Sequence, residues 1–211
     1  LIGGERPLAV LTANHDEIYF DDTMLHSIIN AGYDVLMLDL YYDDIPEECE
    51  LLICYNPLSD LSVRDGVSEI SEIDRLERYL ASGKDMMVFL SSDTPTLPNL
   101  EQFLGEYGVR VLRDAPSEEG EVVYNAMIRD DSASLSADGF TFIAEYATGG
   151  RGAVLTEQLR ESAYPPPVVF KDATALVPTF AAASDEATYQ SGSRTLSVLL
   201  SPVQFTMSGE R

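Results

Sequence analysis

Four consecutive polar residues, Asn14, His15, Asp16 and Glu17, follow the first apolar run of the chain. They place an imidazole, two carboxylates and an amide together, the groups that a general acid/base pair or a metal site uses. The alternative is a plain connecting loop, because Asn and Asp tolerate positive φ and cap helices. We take Asn14, His15 and Glu17 as candidate ligand-binding residues.

Polar residues also follow the third and fourth apolar runs, Asn56 and Asp60 after one and Ser91 and Ser92 after the other. A serine nucleophile at a strand end needs small flanking residues, because the turn that presents it is strained. Leu90 and Asp93 stand at those flanks, so helix capping explains the serines. These four residues join the candidate ligand site, and we predict no catalytic residue.

Other chemistry-bearing patterns have ordinary explanations. Cys54 lies within an apolar run and is predicted to pack in the core, whereas Cys49, among glutamates, is predicted to lie unbonded on the approach loop. The acidic residues 43–50 lack calcium-loop spacing, and the glycine-rich residues 149–152 lack the Lys-Ser/Thr of a phosphate loop and are predicted to form a turn. We therefore predict no metal site and no cofactor.

The elements that must position these residues alternate between strand and helix through the first half of the chain. Apolar runs predict strands near 8–13, 34–40, 51–55, 86–91 and 109–112. Helical stripes lie between most of them and end at Gly32, Gly83 and Gly108. The stripe that ends at Gly83 begins at Val67. This alternation predicts an α/β fold with a flavodoxin-like or glutamine-amidotransferase-like parallel sheet of order 2-1-3-4-5. Loops at its carboxyl edge should hold any site.

The second half of the chain has a different pattern. It predicts one short helix at 153–161 and strands at 121–128, 139–146, 168–170 and 194–200. We therefore predict a doubly wound core over 1–114 and a β-rich extension over 115–211 that packs on the core as one structural unit.

Charge restricts the partners of the protein. The 36 acidic and 13 basic residues give a net charge of −23, which argues against nucleic acid and anionic membrane surfaces as partners. No segment reaches the ~20 apolar residues of a membrane span. The chain starts at Leu1 and enters a strand almost at once, so we expect it to be a piece of a longer protein.

Four segments resemble, in order, a known family. They are residues 44–53 (DIPEECELLI), 56–62 (NPLSDLS), 73–84 (IDRLERYLASGK) and 98–109 (PNLEQFLGEYGV). Over residues 7–114 the chain is similar to GldG-like, gliding-motility-type auxiliary proteins of ABC transport systems. That family often reads Thr-Gly-His-Gly-Glu after its first strand; this chain keeps His15 and Glu17 but has Asp16 in place of the second glycine.

The resemblance implies a non-catalytic, extracytoplasmic domain that is membrane-anchored in the full-length protein. Its partners would be the permease and ATPase subunits of the same system, with an envelope glycan or peptide as a further ligand, and it would meet the membrane only through segments outside this chain. Two other functions stay open. One is a hydrolase or amidotransferase-like enzyme using His15 and Glu17, and the other is a carbohydrate-binding module using Tyr41 and Tyr42.

Overall fold

A computed structural model describes residues 6–17, 22–64, 70–113, 125–183, 187–203 and 206–207. The helices are α1 (Asp22–Asn30), α2 (Glu72–Ala81), α3 (Pro98–Glu106) and α4 (Gly150–Arg160). The strands are β1 (Leu8–Thr12), β2 (Asp34–Leu38), β3 (Cys49–Tyr55), β4 (Asp85–Phe89), β5 (Val109–Val111), β6 (Ile128–Arg129), β7 (Thr141–Tyr146), β8 (Val168–Lys171), β9 (Leu176–Pro178), β10 (Ala181–Ala182), β11 (Thr188–Ser191), β12 (Arg194–Ser197), β13 (Leu200–Ser201) and β14 (Thr206–Met207).

Internal contacts divide the described chain into two compact units. The first comprises the described residues up to Leu90 together with Thr94–Leu100, and the second comprises Ser91–Asp93 and the described residues from Glu101 onward. The sequence-based division after residue 114 stays a prediction. No helix among the described residues is long and apolar enough to cross a membrane.

A four-stranded, all-parallel sheet of order β2-β1-β3-β4 forms the centre of the first unit. The first four predicted strands and their order are thereby confirmed. Strands β1 and β3 are neighbours although β2 lies between them in sequence, so the chain leaves this pair in opposite directions. The crevice at the carboxyl ends of such a pair is where open α/β sheets bind ligands.

The core of this unit follows from the apolar strand sequences. Ala9 and Leu11 of β1 pack with Leu51 and Ile53 of β3 and with Ile28 of α1. Parallel strands in sheets that are covered by helices read as continuous apolar runs, and four consecutive residues of β3, Leu51 to Cys54, are buried accordingly. The sheet therefore gives the loops at its carboxyl edge a rigid base.

Helix α2 begins where its sequence provides a capping box. The Ser71 hydroxyl accepts the backbone N–H of Asp74, and the Asp74 carboxylate accepts the backbone N–H of Ser71. The predicted apolar stripe started earlier, at Val67, which lies outside the described residues; Ile70 precedes the helix. Glu72 is therefore the first helical residue, at the end of α2 that adjoins the loop after β3.

The second unit contains only antiparallel pairings among its described strands. They are β13-β7-β8, β10-β11-β12, β5-β9 and β6-β14. The predicted strands at 139–146, 168–170 and 194–200 correspond to described strands, while residues 121–124 of the predicted strand at 121–128 lie outside the described residues. The structure thus combines a parallel α/β sheet with antiparallel β-sheets.

Three sequence-based predictions are wrong. Strand β5 exists, but it pairs antiparallel with β9 and is not the fifth strand of the parallel sheet. Residues 150–152 begin α4 and do not form a turn, and a Cβ on Gly152 would stand 1.9 Å from the Val198 carbonyl oxygen, so close packing demands this glycine. Cys49 is fully buried as the first residue of β3, because its side chain turns inward between exposed glutamates.

The two cysteines are both free, as predicted. Cys54 is buried in the core, and burial raises the pKa of its thiol to about 12. Burial also raises the pKa of the Cys49 thiol, which lies 3.6 Å from the Tyr79 hydroxyl. Neither thiol has the lowered pKa of a reactive cysteine.

Candidate functional site

The loop after β1 turns His15 into the protein. Asn14 and Asp16, on either side of it, have φ values of 71° and 53°, the left-handed region that these two residue types tolerate. The His15 carbonyl oxygen accepts the backbone N–H groups of Leu58 and Ser59 at 2.8 and 2.9 Å. The loops after the neighbouring strands β1 and β3 are thereby joined, as their adjacency predicts.

The His15 ring lies between two carboxylates. Its Nδ1 donates to Glu17 Oε1 at 3.3 Å, and its Nε2 donates to Glu72 Oε1 at 2.8 Å. The His15 side chain is only 7% exposed, and Glu72 is still more deeply buried, at 3%. An ionised carboxylate only accepts hydrogen bonds, so both ring nitrogens carry a proton and the ring is an imidazolium.

The charges of this triad stabilise one another. Burial by itself would lower the His15 pKa, but hydrogen bonds and charge interactions with Glu17 and Glu72 raise it to about 10. Burial would raise the pKa values of Glu17 and Glu72, yet hydrogen bonds that include those from His15 lower both. The remaining oxygens are also used: Glu17 Oε2 accepts the His15 backbone N–H at 2.9 Å, and Glu72 Oε2 accepts that of Ser62 at 2.7 Å.

A cleft of about 600 Å³ opens beside the triad, within the first unit. That size is typical of small-molecule sites. The residues that line it come from the loops after β1, β2 and β3 and from the first residues of α2 and α3: Asn14, His15, Asp39, Tyr41, Tyr42, Ser59, Asp60, Leu61, Ser62, Glu72 and Asn99. The cleft therefore lies at the carboxyl ends of β1 and β3, where the fold predicts a ligand site.

The loop after β2 forms one side of this cleft. The Asp39 carboxylate accepts the Asn14 side-chain amide at 2.6 Å and the Tyr41 backbone N–H at 2.9 Å. Tyr41 and Tyr42 follow, with their ring centroids 5.0 Å apart and their planes at 79°. Asp39 thus connects the loop after β1 to an exposed pair of aromatic rings.

Asp60, a predicted ligand-binding residue, accepts hydrogen bonds from backbone N–H groups with its carboxylate. Its Oδ2 accepts the N–H of Asn99 at 2.8 Å and its Oδ1 accepts the N–H of Leu100 at 3.1 Å. These are first-turn donors of α3, which have no partner within the helix. Asp60 therefore caps a helix from a distant part of the chain while facing the cleft.

The structure brings together only part of the predicted site. Asn14, His15 and Asp60 line the cleft, whereas Glu17 is not among its lining residues and forms a hydrogen bond with the His15 ring. Asn56 has a φ of 46°, and among the described residues its buried Oδ1 has no hydrogen-bond partner. Ser91 and Ser92 belong to the second unit and are not among the residues that line this cleft.

Sequence reasoning missed Glu72, Asp39, Ser59, Ser62 and Asn99. A signal for Glu72 was present, because Ser71 and Asp74 have the spacing of a capping box and place the helix start next to the glutamate. The apolar stripe obscured it by suggesting an earlier start. Nothing in the sequence pairs Glu72 with His15, since 57 residues separate them.

A second hollow of about 440 Å³ lies at the opposite, amino edge of the same sheet. Its cations face carboxylates: Arg75 and Arg78 contact Asp44 at 3.0 and 3.2 Å, and Lys84 forms an ion pair with Glu50. These pairs offset the positive charge that would attract an anion. We therefore place the candidate site at the carboxyl edge.

Among the described residues, no group of three or more His, Cys, Asp or Glu side chains is arranged to hold a metal ion. No protein-family model matches the sequence, and no curated protein matches it either.

Proposed function

We propose that the chain is a non-catalytic ligand-binding domain, the extracytoplasmic part of a GldG-like auxiliary protein of an ABC transport system. The observation that carries the non-catalytic part is the position of His15 between Glu17 and Glu72. A general base needs a ring nitrogen with a free lone pair, and a pKa of about 10 keeps both nitrogens protonated at neutral pH. The imidazolium stabilises the loop and takes no proton from a substrate.

The nearby nucleophile candidates support the same proposal. The Ser59 hydroxyl donates to the Asp16 carboxylate at 2.6 Å, and Asp16 is exposed. The Cys54 thiol is buried, with a pKa of about 12. A nucleophile that acts at neutral pH needs an adjacent base or a lowered pKa. The group beside Ser59 is an exposed carboxylate and not an imidazole with a free lone pair, and the Cys54 thiol lacks a lowered pKa. Both observations argue against the alternative of a hydrolase or amidotransferase-like enzyme.

The binding part of the proposal depends on where the cleft lies. It occupies the carboxyl edge of the parallel sheet, between strands from which the chain leaves in opposite directions. Cleft residues come from three different loops, of which two follow the buried strands β1 and β3 and one follows the partly exposed edge strand β2. Hydrogen bonds of His15 and Asn14 join these loops to one another, and a site that is organised before binding loses less free energy on binding.

The family part of the proposal depends on the four ordered motifs and on the β1 loop. Asp16, which replaces a glycine of that family, has a φ of 53°, a conformation that glycine adopts freely. The departure from the family pattern therefore leaves the loop conformation available. We also propose that the fold of the parallel sheet is flavodoxin-like or glutamine-amidotransferase-like, which its strand order β2-β1-β3-β4 supports.

Assays with ester, amide and glycoside substrates test the non-catalytic part. We expect no turnover by the wild-type protein. Turnover that is lost in His15→Gln, but retained in the exposed-histidine control His26→Gln, would overturn the proposal and favour the enzyme. Circular dichroism of both variants establishes that they are folded.

Localisation and partners are tested with the full-length protein in its own host. We expect it in the membrane fraction, cleaved by external protease in spheroplasts, and cross-linked to a permease or ATPase subunit. Recovery in the cytoplasmic fraction, protected from that protease, would overturn the extracytoplasmic assignment.

A further inference from the structure

Two tyrosines at the rim of the cleft are left open to solvent. Tyr41 is 57% and Tyr42 is 76% exposed. Their planes meet at 79°, so the pair presents ring surfaces in two directions and not one flat platform. The two rings form an edge-to-face pair, and exposed ring faces at such an angle can serve as two sides of an aromatic cage, the arrangement that recognises quaternary ammonium ligands.

The charge of the cleft has the sign that a cation requires. Carboxylates of Asp39, Asp60 and Glu72 line it, and none of the described lining residues is Lys or Arg. Among those described residues His15 is the one positive side chain, and its charge is more than offset by Glu17 and Glu72. The cleft is therefore net negative, and a charged amine would enter it favourably.

Asp39 is the carboxylate best placed to face a ligand. The Asn14 amide and the Tyr41 N–H fix its orientation beside the tyrosines. A carboxylate accepts about four hydrogen bonds, so acceptor capacity beyond these two remains. Asp60, by contrast, already accepts three backbone N–H groups. Glu72 is buried and paired with His15, whereas Asp39 is only half-buried.

The surrounding charge acts in the same direction at longer range. Residues 1–114 carry 23 acidic and 7 basic side chains, a net charge of −16. A field of this sign raises the local concentration of cations and repels anions. A neutral saccharide would gain nothing from it.

We propose that the cleft binds a small organic cation with an alkylammonium group, which contacts the Tyr41 and Tyr42 rings and is balanced by Asp39. The inference rests on the proposed binding function and names the ligand class. A cleft of about 600 Å³ suits a small molecule.

Choline and its uncharged carbon isostere, 3,3-dimethyl-1-butanol, form the decisive pair of probes, because they have nearly the same shape. Binding is followed by the NMR signals of labelled tyrosines and by calorimetry. We expect choline to bind at least about tenfold more tightly than the isostere. The affinity for choline should fall as NaCl rises from about 20 to about 300 mM.

Single substitutions locate the binding. Tyr41→Ala and Tyr42→Ala should each weaken choline binding about fivefold, whereas Tyr→Phe at the same positions should retain it, because the ring face makes the contact. Asp39→Asn should weaken choline binding and leave the isostere unchanged. The controls are Tyr164→Ala, at a tyrosine 92% exposed outside the cleft, and Asp43→Asn, at an exposed aspartate beside it.

Equal affinities for choline and the isostere, or no response of Tyr41 and Tyr42 to choline, would overturn the inference. Binding of a neutral oligosaccharide that Tyr41→Ala abolishes, without choline binding, would overturn the ligand class and leave the binding function in place. Turnover in the substrate assays would overturn the binding function itself, so the two failures are distinguishable.

Discussion

The chemistry of the cleft depends on one histidine that forms hydrogen bonds with two carboxylates. His15, Glu17 and Glu72 carry a net charge of −1, and each of their ring nitrogens and carboxylate oxygens takes part in a hydrogen bond. Removing one partner leaves an uncompensated buried charge. The resulting loss in the free energy of unfolding is larger than the net stabilisation that the pair provided. The triad is therefore expected to stabilise the β1 loop against the start of α2.

The triad predicts a pH dependence of the free energy of unfolding. The folded His15 pKa is raised to about 10 from 6.5, so its contribution is complete below pH 6.5 and is lost as pH rises towards 10. Glu17 and Glu72 have lowered pKa values, so their contribution is present above about pH 4.5 and is lost as pH falls below it. We expect His15→Gln to be destabilised by about 3 kcal/mol near pH 6.

Urea unfolding between about pH 5.5 and 9.5 measures this. The difference between wild type and His15→Gln should shrink as pH rises through that range. His26→Gln, at an exposed histidine of α1 that contacts the Asp22 carbonyl oxygen, should stay within about 0.5 kcal/mol of wild type. A difference that is constant with pH would contradict the imidazolium.

Hydrogen bonds from the loop after β3 position the secondary-structure elements α2 and α3. Asp60, after β3, caps the first turn of α3, and Ser62 exchanges hydrogen bonds with Glu72 at the start of α2. Both helices thus begin against one loop, and a carboxylate at a helix N-terminus also interacts favourably with the helix dipole. The loop from Asn56 to Ser62 therefore determines the position of two walls of the cleft.

Substitution of Asp60 should destabilise the start of α3. We expect Asp60→Ala to lower the free energy of unfolding by about 1–2 kcal/mol, because two N–H groups of α3 and the N–H of Leu61 lose their acceptor. Asp60→Asn keeps an acceptor oxygen and should lose less. Asp43→Ala, at an exposed aspartate of the same unit, is the control for charge alone, and an equal loss in that variant would contradict the capping role.

The whole molecule is dominated by its negative charge. Most of the ion pairs among the described residues have an exposed partner, so screening them removes little stability. Repulsion among the unpaired carboxylates acts over the entire surface, at a net charge of −23. Salt should therefore reduce the repulsion more than it weakens the pairs.

We accordingly expect Tm to rise by a few degrees as NaCl increases from about 20 to about 300 mM. Thermal unfolding followed by circular dichroism measures it. Sodium gluconate at equal ionic strength serves as a control for specific chloride binding. A lower Tm at high salt would mean that the ion pairs outweigh the repulsion.

Local patterns were sufficient for the first four strands and for the edge of the sheet at which the cleft lies. Continuous apolar runs and glycine-terminated helices are encoded within about ten residues, and short connections restrict how parallel strands can be ordered. The same reasoning placed Asn14, His15 and the loop from Asn56 to Asp60 together, because neighbouring parallel strands end at the same edge. The sequence by itself therefore determined the scaffold and the general position of the candidate site.

Only the tertiary structure decided which distant groups meet. Glu72 reaches His15 across 57 residues, and Val109–Val111 pairs antiparallel with Leu176–Pro178. A strand's apolar pattern specifies which face is buried, but neither its partner nor its direction, and Cys49 could be assigned to the core only once the start of β3 was known. Hydrogen bonds between remote residues depend on how the elements pack, and no local pattern of residues encodes that packing.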